Sequence, residues 1–215
     1  MNASLNGIRV LLADDHAMVR LGFRLLIEGA GGEVIGEAED GESALRRHAE
    51  LTPDLLVMDV SMPGLGGLAA LERLLAKAPA ARVLMVSAHH DEIVPTRALK
   101  LGARGYLCKR AAPEEFIRAV GEVARDRRYL DPELAASVAL AQLSGASSPV
   151  DTLTGKELAV FIKLAEGHSV GDIAQSFSLS PSTVGTHLYH IKQKLNLNNA
   201  AELTLLAMRN GLIEA

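Results

Sequence analysis

Apolar positions along the chain fall into two rhythms. Over residues 1–125, short apolar runs alternate with stretches whose apolar residues recur every three or four positions. The runs IRVLLA (8–13), EVIGEA (33–38), DLLVMD (54–59), RVLMVSA (82–88) and GYLCK (105–109) read as strands. The stretches between them, 16–29, 41–51, 66–77, 92–101 and 113–125, read as helices, with Leu68, Leu71, Leu74 and Leu75, and later Phe116, Val120 and Val123, on one face each. Five strands each followed by a helix predict an α/β unit, a doubly wound five-stranded parallel sheet covered on both faces.

Beyond residue 125 the rhythm changes. Residues 126–149 read as a linker with one helix: Asp131 offers an N-cap, Pro132 the first helical position of a stretch to 143, and SGASSP (144–149) a flexible joint. Residues 150–215 carry only helical pattern. TGKE (154–157) and SVGD (169–172) are capping boxes, Gly167 stops the helix between them, and SPSTV starts a longer helix with Ser180 as N-cap and Pro181 at N1. Val184, Leu188, Ile191 and Leu195 form its inner stripe, and a last helix covers 200–210. A short helix, an SLS turn and a longer capped helix make a helix-turn-helix, whose second helix can enter the DNA major groove.

Composition narrows this picture. The 215 residues are 48% apolar and only 3% aromatic, so the cores must be built from Leu, Val, Ile and Ala. One cysteine, Cys108, excludes a disulfide framework. No apolar run approaches the ~20 residues that span a bilayer, and MNASLNGIRV lacks a signal-peptide pattern, which predicts a soluble, cytoplasmic chain with no membrane partner. The net charge of −4 gives no hint of nucleic acid.

Doubly wound sheets bind ligands at the carboxyl ends of their strands. There the first strand ends in Asp14 and Asp15, the third in Asp59, the fourth in Ser87 and the fifth in Lys109. Three carboxylates, a hydroxyl and an ammonium converge on one rim from distant parts of the chain. Clustered carboxylates repel unless a cation sits among them, and hard oxygen ligands suit Mg²⁺. A carboxylate beside that ion can attack phosphorus, with the ammonium and hydroxyl stabilising the phosphoryl oxygens. Singly, Asp59 reads as a turn cap and Asp14–Asp15 as the N-cap of the first helix. A second aspartate two residues after Asp59 would suit a phosphatase, but Ser61 stands there.

The stretches LLADDH, DLLVMDVSMPGLGG, VLMVSAH and GARGYLCK resemble the receiver domain of two-component response regulators, over about residues 7–125. The resemblance implies a flavodoxin-like fold, Asp59 as phosphoacceptor, and Mg²⁺ held by Asp14, Asp15, Asp59 and the backbone carbonyl of Ser61. It makes Lys109 and Ser87 the catalytic partners, with Ser87 and Tyr106 as the switch that repacks the face of the fourth helix and fifth strand. No enzymatic activity is implied beyond Mg²⁺-dependent self-phosphorylation and autodephosphorylation. Pro95 departs from the pattern and fits as a first-turn residue of the fourth helix.

LTGKELAVFIKLAEGHSVGDIAQSFSLSPSTVGTHLYHIKQKLNLNNAAEL is similar to the LuxR/NarL-type DNA-binding domain, so the whole resembles a NarL/FixJ-family response regulator. The implied partners are a sensor histidine kinase as phosphodonor, double-stranded DNA, RNA polymerase and a second copy of the chain. Thr183, Thr186, Tyr189, His190, Lys192 and Lys194 are the implied DNA contacts. The charge count pulls the other way. From residue 149 on, five bases face six acids, a poor balance for a domain that must neutralise phosphates. Gly185 stands where that family often has a long side chain, and Ala200 where it often has Arg. The alternative is an output domain that works through protein contacts.

Overall fold

A computed structural model describes residues 4–88, 93–132, 134, 135, 138, 149–210, 212 and 213. Contact density divides the chain into two compact units, one of residues 1–88 and 98–132, the other of 89–97 and 133–215.

The first unit is built on a parallel sheet of β1 (Arg9–Ala13), β2 (Glu33–Ala38), β3 (Leu55–Asp59), β4 (Val83–Ser87), β5 (Gly105–Cys108) and β6 (Tyr129–Leu130), in the order β2-β1-β3-β4-β5-β6. The helices that follow its strands are α1 (Ala17–Gly29), α2 (Gly41–Leu51), α3 (Gly67–Lys77), α4 (Ile93–Leu101), of which residues 98–101 belong to this unit, and α5 (Pro113–Ala124). β3 and β4 are buried at every residue, so they carry no polar alternation and read as continuous apolar runs. One core layer joins Val10, Leu12, Leu55, Val57, Leu84, Val86 and Leu107 of the sheet to Phe116, Val120 and Val123 of α5. Phe23 of α1 stacks on Phe116 with ring centroids 4.3 Å apart. Each such side chain contributes roughly 1.5–3 kcal/mol on burial, so the layer as a whole outweighs any single polar contact in fixing the strand order.

The sheet has six strands rather than five. Tyr129 and Leu130, which the sequence assigns to the linker, pair with Gly105 and Tyr106. The Tyr129 amide donates to Arg104 O and the Asp131 amide to Tyr106 O, each at 3.0 Å. Two residues are too few to show any periodicity, which is why the pattern hides this strand. The Asp131 carboxylate, expected as a helix cap, accepts from the Cys108 amide at 3.1 Å. The helix expected over 132–143 and the joint at 144–149 lie largely outside the described residues. Pro95 falls in the first turn of α4 as described, at its third position.

The second unit opens with a 3₁₀ turn, Pro149–Thr152, and holds α6 (Gly155–Ala165), α7 (Val170–Ser176), α8 (Pro181–Leu195) and α9 (Ala200–Arg209). Both capping boxes form: Thr154 with Glu157, and Ser169 with Asp172. The Ser180 side chain accepts from the Thr183 amide at the start of α8. Val184, Ile191 and Leu195 are buried as expected, as are Leu158, Phe161, Ile173 and Leu203 of the neighbouring helices, while Leu188 is half-buried. Ser178 and Asn196 take left-handed conformations at φ +52°, ending α7 and α8. Among the described residues no helix is long and apolar enough to cross a membrane.

The turn after β3 leaves no slack. The Gly67 amide donates to Val60 O at 2.9 Å, closing the loop that follows Asp59. A Cβ at Gly67 would lie 2.0 Å from the Asp59 carbonyl oxygen, a backbone atom that cannot swing aside. Gly22, inside α1, is the opposite case, with no atom within 4 Å of such a Cβ. Gly67→Ala is therefore expected to lower stability by about 1–3 kcal/mol, and Gly22→Ala to raise it by about 0.5–1 kcal/mol. Urea unfolding of the two variants reads both; equal stability of the two would mean the loop after β3 yields freely.

Candidate functional site

The sheet order sets β1 beside β3, with β5 two strands further along beyond β4, and because all run parallel their carboxyl ends share one rim. Asp14 follows Ala13 directly and is almost fully buried, as is Asp59, the last residue of β3. Lys109 follows β5, and its Nζ lies 2.7 Å from Asp14 Oδ2 and 2.9 Å from Asp59 Oδ2. One ammonium thus bridges two carboxylates that are 45 residues apart in sequence. Asp15 is more open and faces His16, with Nδ1–Oδ1 at 2.9 Å. Asp14, Asp15, His16 and Asp59 each present a ligand atom within 4.8 Å of the others. Ser87 ends β4 and Tyr106 lies in β5, both fully buried. Ser61 sits in the loop between β3 and α3, half-buried.

At Asp59 the carboxylate pairs with Lys109, with the Ser61 backbone also near it. At Asp14 the cap reading holds in part: Oδ1 accepts from the His16 amide at 2.8 Å, although the N-cap of α1 is His16 itself, which makes no side-chain cap bond.

Electrostatics shape the pocket. Burial pushes the Asp59 carboxyl above its ordinary value; the Lys109 charge pulls it back, the Asp14 charge pushes it up again, and the balance stays raised. Burial would lower the Lys109 ammonium, but Asp59 and Asp14 outweigh that and hold it above its ordinary value. Asp59 Oδ1 is buried and makes no hydrogen bond of ordinary geometry among the described residues, the Ser61 amide approaching the carboxylate only loosely. One lysine faces two buried carboxylates and a third nearby, a donor set of hard oxygens short of positive charge. Such a set fits a divalent cation.

Two residues here escape the sequence reading. His16 was visible beside Asp14 and Asp15, and only its side-chain position reveals it as a neighbour of the cluster. Arg20, buried in α1, reads from sequence as an ordinary helix-surface charge, yet its Nη1 donates to Asp14 O at 2.6 Å.

The residues expected at a nucleic-acid interface lie along α8. Thr183, Thr186, Tyr189, His190 and Lys194 are exposed, and Lys192 is half-buried. The Tyr189 ring is 61% exposed, an unusual placement for a large side chain and one suited to a partner. Local bonds occupy some of the others: Thr183 Oγ1 lies 2.8 Å from Ser180 Oγ, and Thr186 Oγ1 donates to Ser182 O at 3.0 Å. Lys194 is engaged elsewhere. Its Nζ lies 2.6 Å from Glu157 Oε2, tying the end of α8 to the start of α6. The same Oε2 accepts from the Thr154 amide at 2.7 Å, so the capping box and the ion pair share one oxygen.

A charged, metal-suited pocket at the carboxyl rim of a parallel α/β sheet, joined in one chain to a helix-turn-helix unit, defines a signal receiver coupled to a nucleic-acid-binding output. Residues 10–121 match the response regulator receiver domain, and residues 151–207 match the bacterial regulatory proteins of the luxR family. Over 211 residues the chain is 40% identical to the response regulator GacA of Pseudomonas aeruginosa, covering 97% of this chain and 99% of GacA. It is 37% identical to the response regulator UvrY of Escherichia coli (strain K12), covering 97% of each. RcsB from Salmonella enterica serovar Typhimurium, solved bound to promoter rprA in the presence of phosphomimetic BeF₃⁻, shares the fold, with a TM-score of 0.64 at 24% identity over 94% of this chain and 98% of RcsB. The chain belongs to the response regulators, as a DNA-binding transcription regulator of a two-component system with a luxR-family output domain.

The Glu157–Lys194 pair gives a stability prediction. Burial pushes the Glu157 carboxyl up, but the bonds from Lys194 and Thr154 prevail and hold it below its ordinary value. A lowered carboxylate stabilises the folded state above its unfolded pKa of about 4.3, and that gain is lost as pH falls from there through the lower folded value. With Lys194 36% exposed and Glu157 5%, Lys194→Met should cost about 1–3 kcal/mol at neutral pH, less than a fully buried pair. Thermal melts of the helical unit should show this cost shrinking as the pH falls below that window. A variant that melts like the native chain at every pH would reduce the pair to a surface contact.

Proposed function

We propose that Asp59 accepts a phosphoryl group from a sensor histidine kinase, and that the modified receiver raises the affinity of the output domain for DNA. The observation that carries this reading is the Lys109 ammonium set between the buried carboxylates of Asp14 and Asp59. Asp14, Asp15, Asp59 and the Ser61 carbonyl would hold Mg²⁺, which, when bound, screens the charge of an incoming phosphoryl group from the carboxylates.

The chain's own groups divide the work. An Asp59 oxygen attacks phosphorus, the bond from phosphorus to the kinase imidazole nitrogen breaks, and the imidazole leaves with the electron pair. Lys109 already lies within hydrogen-bond reach of Asp59 and neutralises part of the charge carried by the transferred oxygens. Ser87, at the end of the adjacent strand, donates its hydroxyl proton to one of those oxygens. That charge-assisted bond, roughly 1.5–3 kcal/mol, favours the inward Tyr106 and shifts a two-state equilibrium about tenfold or more. Hydrolysis of the acyl phosphate returns the carboxylate, and this self-limited cycle is the chain's only proposed chemistry.

At the output end, α8 would lie in the major groove. Thr183, Thr186, Tyr189 and His190 reach base edges or phosphates from its exposed side, and Lys192 and Lys194 reach phosphates from its last turn. Lys194 must leave Glu157 to do so, which keeps the phosphate count per copy low. Two copies engaged together recover affinity through effective concentration. Leu205 and Met208 of α9, exposed at 54% and 37%, offer apolar surface for the second copy. The complex works in the cytoplasm and presents RNA polymerase with the assembled dimer. The engaged state of Lys194 and the acidic balance of this unit also support a second reading, an output domain that acts through protein contacts.

Asp59→Asn should take up no label from radioactive acetyl phosphate with Mg²⁺, while the native chain labels; undiminished labelling of the variant would move the acceptor elsewhere. Lys192→Ala should weaken binding to all DNA sequences alike, because phosphate contacts carry no base information, and reduce the salt slope by about one. A variant that loses affinity for one operator only would make Lys192 a base reader. If the phosphorylated native chain shifts no promoter DNA at all in a gel, the protein-contact reading takes over.

A further inference from the structure

The Asp14–Asp15 peptide joins two of the proposed Mg²⁺ ligands, so its orientation sets both carboxylates at once. Its carbonyl oxygen, Asp14 O, accepts from Arg20 Nη1 at 2.6 Å in a buried bond. The guanidinium is held from a second direction: Nε donates to Glu37 Oε2 at 3.1 Å and Nη2 to Glu39 Oε1 at 2.8 Å. Glu37 is gripped in turn by Arg24, whose Nη2 lies 2.7 Å from Oε1. Arg20 itself is only 7% exposed. The remaining polar atoms of Asp14 are also engaged, the amide by Ala38 O at 3.1 Å, Oδ1 by the His16 amide at 2.8 Å and Oδ2 by Lys109 at 2.7 Å.

Charge alone gives Arg20 no reason to be there. A positive group beside a pocket that takes a cation opposes binding through Coulomb repulsion. A planar fork, however, reaches acceptors on three sides at fixed angles, which an ammonium on a flexible stem does not. We infer that Arg20 is a positioning residue for the metal: it locks the Asp14–Asp15 peptide against the end of β2 so that both carboxylates meet the cation in place. Groups of this outer kind tune affinity by orienting the ligands rather than by touching the ion. The inference rests on the proposed reading of the pocket as a Mg²⁺ site.

The sign of the effect separates this role from its alternatives. Removing the charge without the positioning role tightens Mg²⁺ binding; removing a mere brace of the fold lowers the melting temperature and leaves binding unchanged. The test is calorimetric titration of Mg²⁺ into the full-length chain, native first, then Arg20→Lys, Arg20→Gln and Arg24→Ala, with melts to confirm that each is folded. The expected result is a Kd raised about tenfold or more in both Arg20 variants and unchanged in Arg24→Ala, which breaks the Glu37 pair without touching Asp14. Should Arg20→Gln fail to fold, Arg20→Lys decides. Native or tighter affinity in the Arg20 variants overturns the inference, as does an equal loss in Arg24→Ala, which would spread the effect over the whole network. A native chain that takes up no Mg²⁺ removes the metal reading, and the inference with it, a result distinct from the others because it appears before any substitution.

Discussion

Everything at the receiver rim turns on one ammonium held between two carboxylates. Asp14 and Asp59 are buried at the ends of largely apolar strands, a setting in which each charge alone would be expensive. Lys109 offsets part of that cost for both. It can do so only because the strand order puts β1, β3 and β5 within reach of one side chain. The apolar layer that fixes the order is thus a condition of the chemistry. The bridge is deliberately incomplete in electrostatic terms, since one positive charge serves more than one negative. Burial, with the Asp14 charge beside it, keeps the Asp59 carboxyl above its ordinary value despite Lys109, and the pocket remains receptive to further positive charge.

Much of this was legible in the chain itself. The strands at 54–59, 82–88 and 105–109 stand out because a sheet covered on both faces favours apolar runs, and chemistry can then be sought where each run stops. Asp14, Asp59, Ser87 and Lys109 were found that way. The capping boxes were legible for a different reason: their partners lie three residues apart, so the pattern is local. What stayed hidden depends on pairing across distance. Nothing marks Arg20 within AMVRLGFRLLIEG as buried, because a charge on an amphipathic helix ordinarily faces water. Lys194 reads as a phosphate contact until Glu157, 37 residues away, is seen to hold it. Strand β6 was missed because two residues carry no period.

The output unit solves a packing problem with the charges that its partner chemistry also wants. Glu157 closes a capping box, receives the Lys194 ammonium and sits almost fully buried, so a single carboxylate ties the first helix of the unit to the end of the third. A domain with few bases can hardly reserve them all for phosphate. Stability and affinity therefore draw on the same small set of side chains.

The aromatic poverty of the chain has an optical consequence. It holds no tryptophan and three tyrosines, so its near-ultraviolet emission comes from tyrosine alone. Tyr106 is enclosed in β5, Tyr129 anchors β6 beside it, and Tyr189 stands exposed on α8. Replacing one at a time with phenylalanine would sort the emission into a signal from β5, one from β6 and one from α8, turning the protein into its own set of spectroscopic labels.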